Sequence, residues 1–230
     1  MLNPHFGIPL EREFEIWITQ QIEDYFLRLG VTVSTFAVSP ADEKTWPSDE
    51  ALLANGKLVG IQYKRPHLSR KTTGTLFSKL WWSLSNPKGQ ASAVLACPEI
   101  YYCLPTFINR KWRREALAHA IFWRPNPSDF RPRESADHTI WYENSEPHLR
   151  TQNIKIARHE NAYRWGEFVE RIIGCSVPSG FDRSVPAKHV LQRIRQKYAE
   201  RSTQEGKNVN RDYYSGSEVI YFMYFPQLSG

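Results

Sequence analysis

The stretch from Trp46 to Pro66, WPSDEALLANGKLVGIQYKRP, constrains this chain more than any other. At its centre, Asn55-Gly56 is the strongest short signal for a two-residue hairpin, because both central residues of a type I′ turn take positive φ. Ala51, Leu52 and Leu53 precede the turn, and Leu58, Val59 and Ile61 follow it. With Ala54 facing Lys57 the register is fixed: Leu53 opposes Leu58, Leu52 opposes Val59, Ala51 opposes Gly60, Glu50 opposes Ile61 and Asp49 opposes Gln62. Side chains alternate along a strand. Asp49, Ala51, Leu53, Leu58, Gly60, Gln62 and Lys64 therefore share one face, and Leu52, Val59, Ile61 and Tyr63 share the other. Opposed Cβ atoms lie about 4.5–5.5 Å apart. A carboxylate, an amide and an ammonium group are thus expected together at the open end of one hairpin.

That trio has a chemistry. Aspartate and glutamine carbonyl oxygens are hard ligands suited to Mg²⁺, which accepts few protein ligands and keeps several waters. A lysine two residues along the same face can orient or help deprotonate a bound water, or offset charge developing on a phosphate. Glu50 turns to the opposite face beside Ile61, which leaves Asp49 as the better ligand.

Asp49, twelve intervening residues and then Gln62-Tyr63-Lys64 resemble the PD-(D/E)XK, or restriction-endonuclease-like, nucleases. The likeness is to the variant with Gln before X-Lys, as in Mrr-type restriction enzymes. It spans roughly residues 10–105, and it departs from the family where Pro47-Ser48-Asp49 replaces Pro-Asp. The resemblance implies a restriction-endonuclease-like α/β core, a central mixed sheet flanked by helices. It also implies Mg²⁺-dependent hydrolysis of DNA phosphodiesters, with Mn²⁺ as a substitute ion, and a further glutamate from the first helix. Double-stranded DNA as substrate, and a setting in restriction or anti-phage defence, follow only by analogy. Oligomeric state stays open, a homodimer being one way to supply two sites for two strands.

The first helix is expected over residues 10–29, where Phe14, Ile18, Ile22, Tyr25 and Leu29 form one apolar stripe and Gly30 ends it. On the helical wheel Glu11 falls within that stripe, Glu15 at its edge and Glu13 outside. The Phe14-Glu15 pair resembles the helix-one acid of Mrr-type nucleases, which favours Glu15 over Glu11. The competing reading is a solvated or salt-bridged glutamate at a favourable helix N-terminus.

A net charge of +6 suits a polyanionic partner, although charge alone does not distinguish this from an incidentally basic protein. Two basic stretches are candidate phosphate contacts. One follows the lysine motif, with Arg65, Arg70 and Lys71; the other opens an expected helix over 109–120, with Arg110, Lys111, Arg113 and Arg114. A solvated basic face would read the same way. A nucleic-acid-binding protein that keeps the fold without catalysis is the alternative function.

Three cysteines without a CxxC pair suggest free thiols in a reducing compartment, and no apolar run reaches the ~20 residues needed to span a membrane. The expected protein is cytoplasmic, with no membrane partner. The seven histidines show no zinc spacing, and no Walker loop, Rossmann glycine pattern or G-x-S-x-G elbow occurs.

Further along, residues 31–38 read as a strand, 76–84 as helix or strand, 90–97 as a helix and 100–104 as a buried strand ended by Pro105. Residues 139–142 suggest a short strand, and 161–174 and 186–201 suggest helices. In the last of these Val190, Leu191, Ile194 and Tyr198 face inward, and Lys188, Arg193, Arg195, Lys197 and Arg201 face outward. Residues 218–225, EVIYFMYF, form a strand too apolar to lie exposed, expected to pair with the sheet or across a dimer. The organisation expected is a nuclease-like domain over 1–175 and an extension of basic helix and terminal strand over 176–230.

Overall fold

The computed structural model describes residues 9–38, 57–68, 80–84, 90–124, 139–143, 146–151, 154–156, 161–173, 187–205 and 219–225. Helix α1, Glu11–Arg28, buries Phe14, Glu15, Ile18, Ile22 and Phe26. The seam thus runs through Phe26 rather than Tyr25 and Leu29. Phe26 packs edge-on against Phe225 and Trp165, with ring centroids 5.0 and 5.9 Å away, while Leu29 lies exposed beyond the last turn. Gly30 ends the helix as expected, at φ +69°. Its N–H donates to the Leu27 carbonyl and that of Val31 to Phe26, the Schellman pattern that needs a left-handed residue.

Strands β1 (Ser34–Val38), β2 (Lys57–Tyr63), β5 (Ile100–Pro105), β6 (Ala120–Trp123), β10 (Ala162–Arg164) and β11 (Ile220–Phe225) form a six-stranded mixed sheet. Its order is β1-β11-β2-β5-β6-β10. Only β2 and β5 are parallel. A parallel pair needs a long crossover. Here that crossover contains β3 (His67–Leu68), β4 (Leu80–Ser83) and helix α2 (Gln90–Ala96). Alternation along β2 divides the core. Val59, Ile61 and Tyr63 join α1 and α3 (Trp165–Ile173) on one face. Leu58 joins α2 and α4 (Ala187–Glu205) on the other, where α4 contributes Val190, Leu191, Ile194 and Tyr198 as its sequence requires. The chain is therefore mixed α/β, a six-stranded sheet with helices on both faces.

The expected hairpin register is not what the sheet contains. Gly60 lies between Phe222 of β11 and Ile100 of β5, and Ile61 lies between Tyr221 and Tyr101. Both edges of β2 are occupied there, by β11 and β5; Glu50 and Ala51, expected to oppose Ile61 and Gly60, lie outside the described residues. The physical reason is burial on two faces. A central strand must be apolar on both sides, which IYFMYF satisfies and the charged Asp49-Glu50 segment does not. Asp49 and the Asn55-Gly56 turn lie outside the described residues. The terminal strand pairs with the sheet, one of the two outcomes its apolarity implied, and lies inside it between β1 and β2.

Gly60 permits this arrangement. A Cβ there would lie 2.9 Å from Ile100 Cγ1 and 3.0 Å from Phe222 Cε1. Alanine in place of a strand glycine ordinarily gains about 0.5–1 kcal/mol, whereas overpacking costs about 1–3 kcal/mol, so the clash decides the sign. Gly60→Ala is expected to lower the urea midpoint, and a second change, Phe222→Leu, to recover part of the loss. A midpoint that rose in Gly60→Ala would show that the neighbours yield freely.

A second, antiparallel sheet, β3-β4-β7-β8-β9, adds β7 (Thr139–Glu143), β8 (Glu146–Thr151) and β9 (Ile154–Ile156). Residues 80–83 are strand, and Trp82 is wholly buried, its indole N–H donating to the Pro105 carbonyl at 3.2 Å. The helix expected over 109–120 is only a 3₁₀ segment, Arg110–Glu115, because residues 120–123 are drawn into the sheet between β5 and β10. Likewise 162–164 are strand before α3 begins. No helix among the described residues is long and apolar enough to cross a membrane.

Candidate metal and phosphate site

At the carboxyl end of β2 the chain continues its pairing with β5, the Lys64 N–H donating to the Cys103 carbonyl at 3.1 Å. The first turns of α1 lie over this end, where Glu11 Oε2 accepts the Arg65 N–H at 2.9 Å. In open α/β sheets the crevice beyond the carboxyl ends of parallel strands is the usual ligand position. Glu11, Glu13, Glu15, Gln62, Lys64 and Arg65 are thus gathered at one end of the sheet.

Each has a distinct environment. Gln62 is buried, and its Nε2 donates to the Val219 carbonyl at 3.1 Å. That bond fixes the amide orientation, since a flipped amide would set two acceptors against each other. Its Oε1 is then sealed from solvent with no hydrogen-bond partner among the described residues. A buried carbonyl oxygen without a donor costs about 1–3 kcal/mol, and it is a hard ligand of the kind Mg²⁺ takes. Lys64 is buried two residues on. No family model, curated protein or solved structure matches this chain.

Glu15 is buried against the α1 side of the sheet. Its Oε2 accepts from Arg12 Nη1 at 3.0 Å and from the Tyr221 hydroxyl at 3.3 Å. Tyr221 meets Tyr63 edge-on at 5.4 Å, and the Tyr63 hydroxyl shares a 2.9 Å hydrogen bond with Thr19. By alternation with Leu58 and Gly60, Gln62 points to the opposite face of β2, the one Leu58 shares with α2 and α4. Glu15 and Gln62 would share an ion only by both reaching past the end of the strand. Among the described residues no group of three His, Cys, Asp or Glu side chains forms, and Asp49 is not among those residues.

Burial raises the Glu15 pKa, against the opposing pull of Arg12. A carboxyl with a raised folded pKa holds its proton more tightly in the native state. Stability therefore falls as pH climbs from the ordinary carboxylate range through the raised value. Glu15→Gln is expected to melt above the parent protein at a pH of about 8, the difference closing as pH drops below about 4. A lower Tm at the alkaline end would mean that the Arg12 pairing outweighs desolvation. Glu13 behaves oppositely: Arg110, bound through Nε at 2.8 Å and Nη2 at 2.6 Å, holds its carboxyl below the usual range.

Arg110, expected as a phosphate contact, thus forms a part-exposed ion pair with Glu13. Lys111, Arg113 and Arg114 are exposed around a surface depression of about 490 Å³ that Arg110 also lines. Arg70 and Lys71 lie outside the described residues. Arg193, expected outward, pairs with the buried Glu99. Cys97 and Cys103 are free and buried, and burial pushes both thiols up, Cys97 to about 12. Neither is a reactive thiol. Tyr221 and Gln21, which matter to the site's framework, had no sequence signal beyond lying in an apolar strand and on a helix.

Proposed function

We propose that this protein is a metal-dependent nuclease hydrolysing DNA phosphodiester bonds, with its centre at the carboxyl end of β2. The observation that carries the reading is the sealed Gln62 Oε1, two residues before a buried lysine. A buried oxygen with no hydrogen-bond donor, on the strand face that Lys64 shares, suits a site completed by a divalent ion and a phosphate. Gln62, with Glu15 or, as the alternative acid, Glu11, would hold Mg²⁺ or Mn²⁺; Asp49 joins them on the resemblance alone, because β2 is flanked by β11 and β5 and not by the segment expected to set Asp49 opposite Gln62. Bound there, the ion would supply positive charge where negative charge builds on the scissile phosphate. Lys64 would orient the attacking water and add a second positive charge. Double-stranded DNA, action as a homodimer and a role in restriction or defence rest on the resemblance alone.

The test is conversion of supercoiled plasmid in the presence of Mg²⁺, compared with chelated protein and with Asp49→Ala. Cleavage that depends on both the ion and Asp49 supports the reading. Cleavage unaffected by the substitution would remove Asp49 from the site. Salt-sensitive binding without cleavage would favour the non-catalytic nucleic-acid-binding alternative.

A further inference from the structure

The 3₁₀ segment Arg110–Glu115 carries a feature that basicity alone does not explain. A 3₁₀ helix has three residues per turn, so residues three apart lie one above the other. Lys111 and Arg114 fall on one side, Arg110 and Arg113 on a second, Trp112 and Glu115 on the third. Trp112 is 44% exposed, while most large aromatics described in this chain are buried. Its ring is held against His119, centroids 4.6 Å apart at 67°, and His119 Nε2 lies 3.6 Å from Glu115. An indole is thus displayed in a fixed orientation between cationic side chains.

The segment is also fastened to α1. Arg110 is gripped by Glu13, Gln21 Nε2 donates to the Arg113 carbonyl at 2.7 Å, and Gln21 Oε1 accepts the Leu117 N–H at 3.0 Å. The Asn109 side chain caps its start by accepting the Lys111 N–H at 2.8 Å. Surfaces held in their binding geometry lose little freedom on association. Glu13, the anchor, lies between Glu11 and Glu15 in α1, so this surface adjoins the proposed catalytic end of the sheet.

We propose that Lys111–Arg114 is a docking surface for unpaired nucleotides, Lys111, Arg113 and Arg114 receiving phosphates and Trp112 stacking on a base. A base presents its π-face to a side chain when it is not enclosed in a duplex stack, and aromatic platforms set in basic grooves bind single strands in this way. This deepens the nuclease reading by naming the form of its substrate, an unpaired strand beside the cut; the binding itself does not depend on cleavage.

The test measures anisotropy of a short labelled poly-thymidine strand and of its blunt duplex with poly-adenosine, using the full chain with EDTA so that cleavage cannot intervene. The single strand should bind more tightly than the duplex. Trp112→Ala should weaken it roughly tenfold, Trp112→Phe should keep most of the affinity, and urea midpoints should stay close to the parent. Replacing Lys111, Arg113 and Arg114 together should flatten the log-affinity against log-salt slope by about 2. Duplex bound as tightly as single strand, or Trp112→Ala without effect, overturns the proposal. Because no metal is present, either result stands apart from whether the protein cleaves.

Discussion

A chain ending at Glu205, and so lacking β11, is expected to show no cooperative unfolding transition. β11 lies between β1 and β2, pairing antiparallel with each, and buries Ile220, Phe222, Met223, Tyr224 and Phe225. At about 1.5–3 kcal/mol for each large apolar side chain, this burial is comparable with the whole ~5–15 kcal/mol net stability of a typical domain. Removing the strand would also detach β1 and open a long apolar edge on β2, a template for aggregation. Gln62 would lose the Val219 carbonyl that orients its amide. Circular dichroism through a urea titration reads the result. A sharp transition within about 2 kcal/mol of the full chain would show that β11 is peripheral.

The same strand marks where the sequence could and could not be read. Helix α1, its glycine stop, β5 and the inward face of α4 were legible, because apolar spacing and a positive-φ residue act within a few positions of each other. The alternation of Leu58, Gly60 and Gln62 against Val59, Ile61 and Tyr63 was legible for the same reason. What failed was the choice of neighbour for β2. Local logic offered Ala51 and Glu50, the nearest residues across an Asn-Gly turn. The sheet used Tyr221 and Phe222, because only a segment apolar on both faces can lie between two other strands. Nothing within β2 encodes that distant competitor. The apolarity of EVIYFMYF implied that it must be covered, not where. That Gln62 and Lys64 share one face of β2 was legible, but the contacts that bring α1 over the end of that strand were not. The Tyr221–Glu15 and Arg110–Glu13 contacts join residues far apart in the chain. Arg110 illustrates the limit: a basic run reads as a surface for phosphate, and its ion pair with Glu13, 97 residues away, has no signal in the run itself.

Substitutions at Gln62 and Lys64 should separate catalysis from folding. Lys64→Met keeps the buried aliphatic stem and deletes the charge, so on the proposed reading plasmid cleavage should fall by about 10²–10⁴ with a cooperative transition retained. Gln62→Glu makes a sharper demand. The amide nitrogen now donates to Val219; a carboxylate would place an oxygen there instead, adding a buried charge beside an acceptor. Burying a further ion costs several kcal/mol, which Lys64, two residues away on the same face, offsets only in part, so without metal the variant should melt below the parent. If Gln62 Oε1 faces an ion site, Mg²⁺ offsets that charge, and the Tm of Gln62→Glu should climb with Mg²⁺ far more steeply than the parent's. A deficit that Mg²⁺ leaves untouched would mean that the oxygen faces no ion. Gln62 would then be structural, and the metal would have to be sought among Glu11, Glu15 and Asp49 alone.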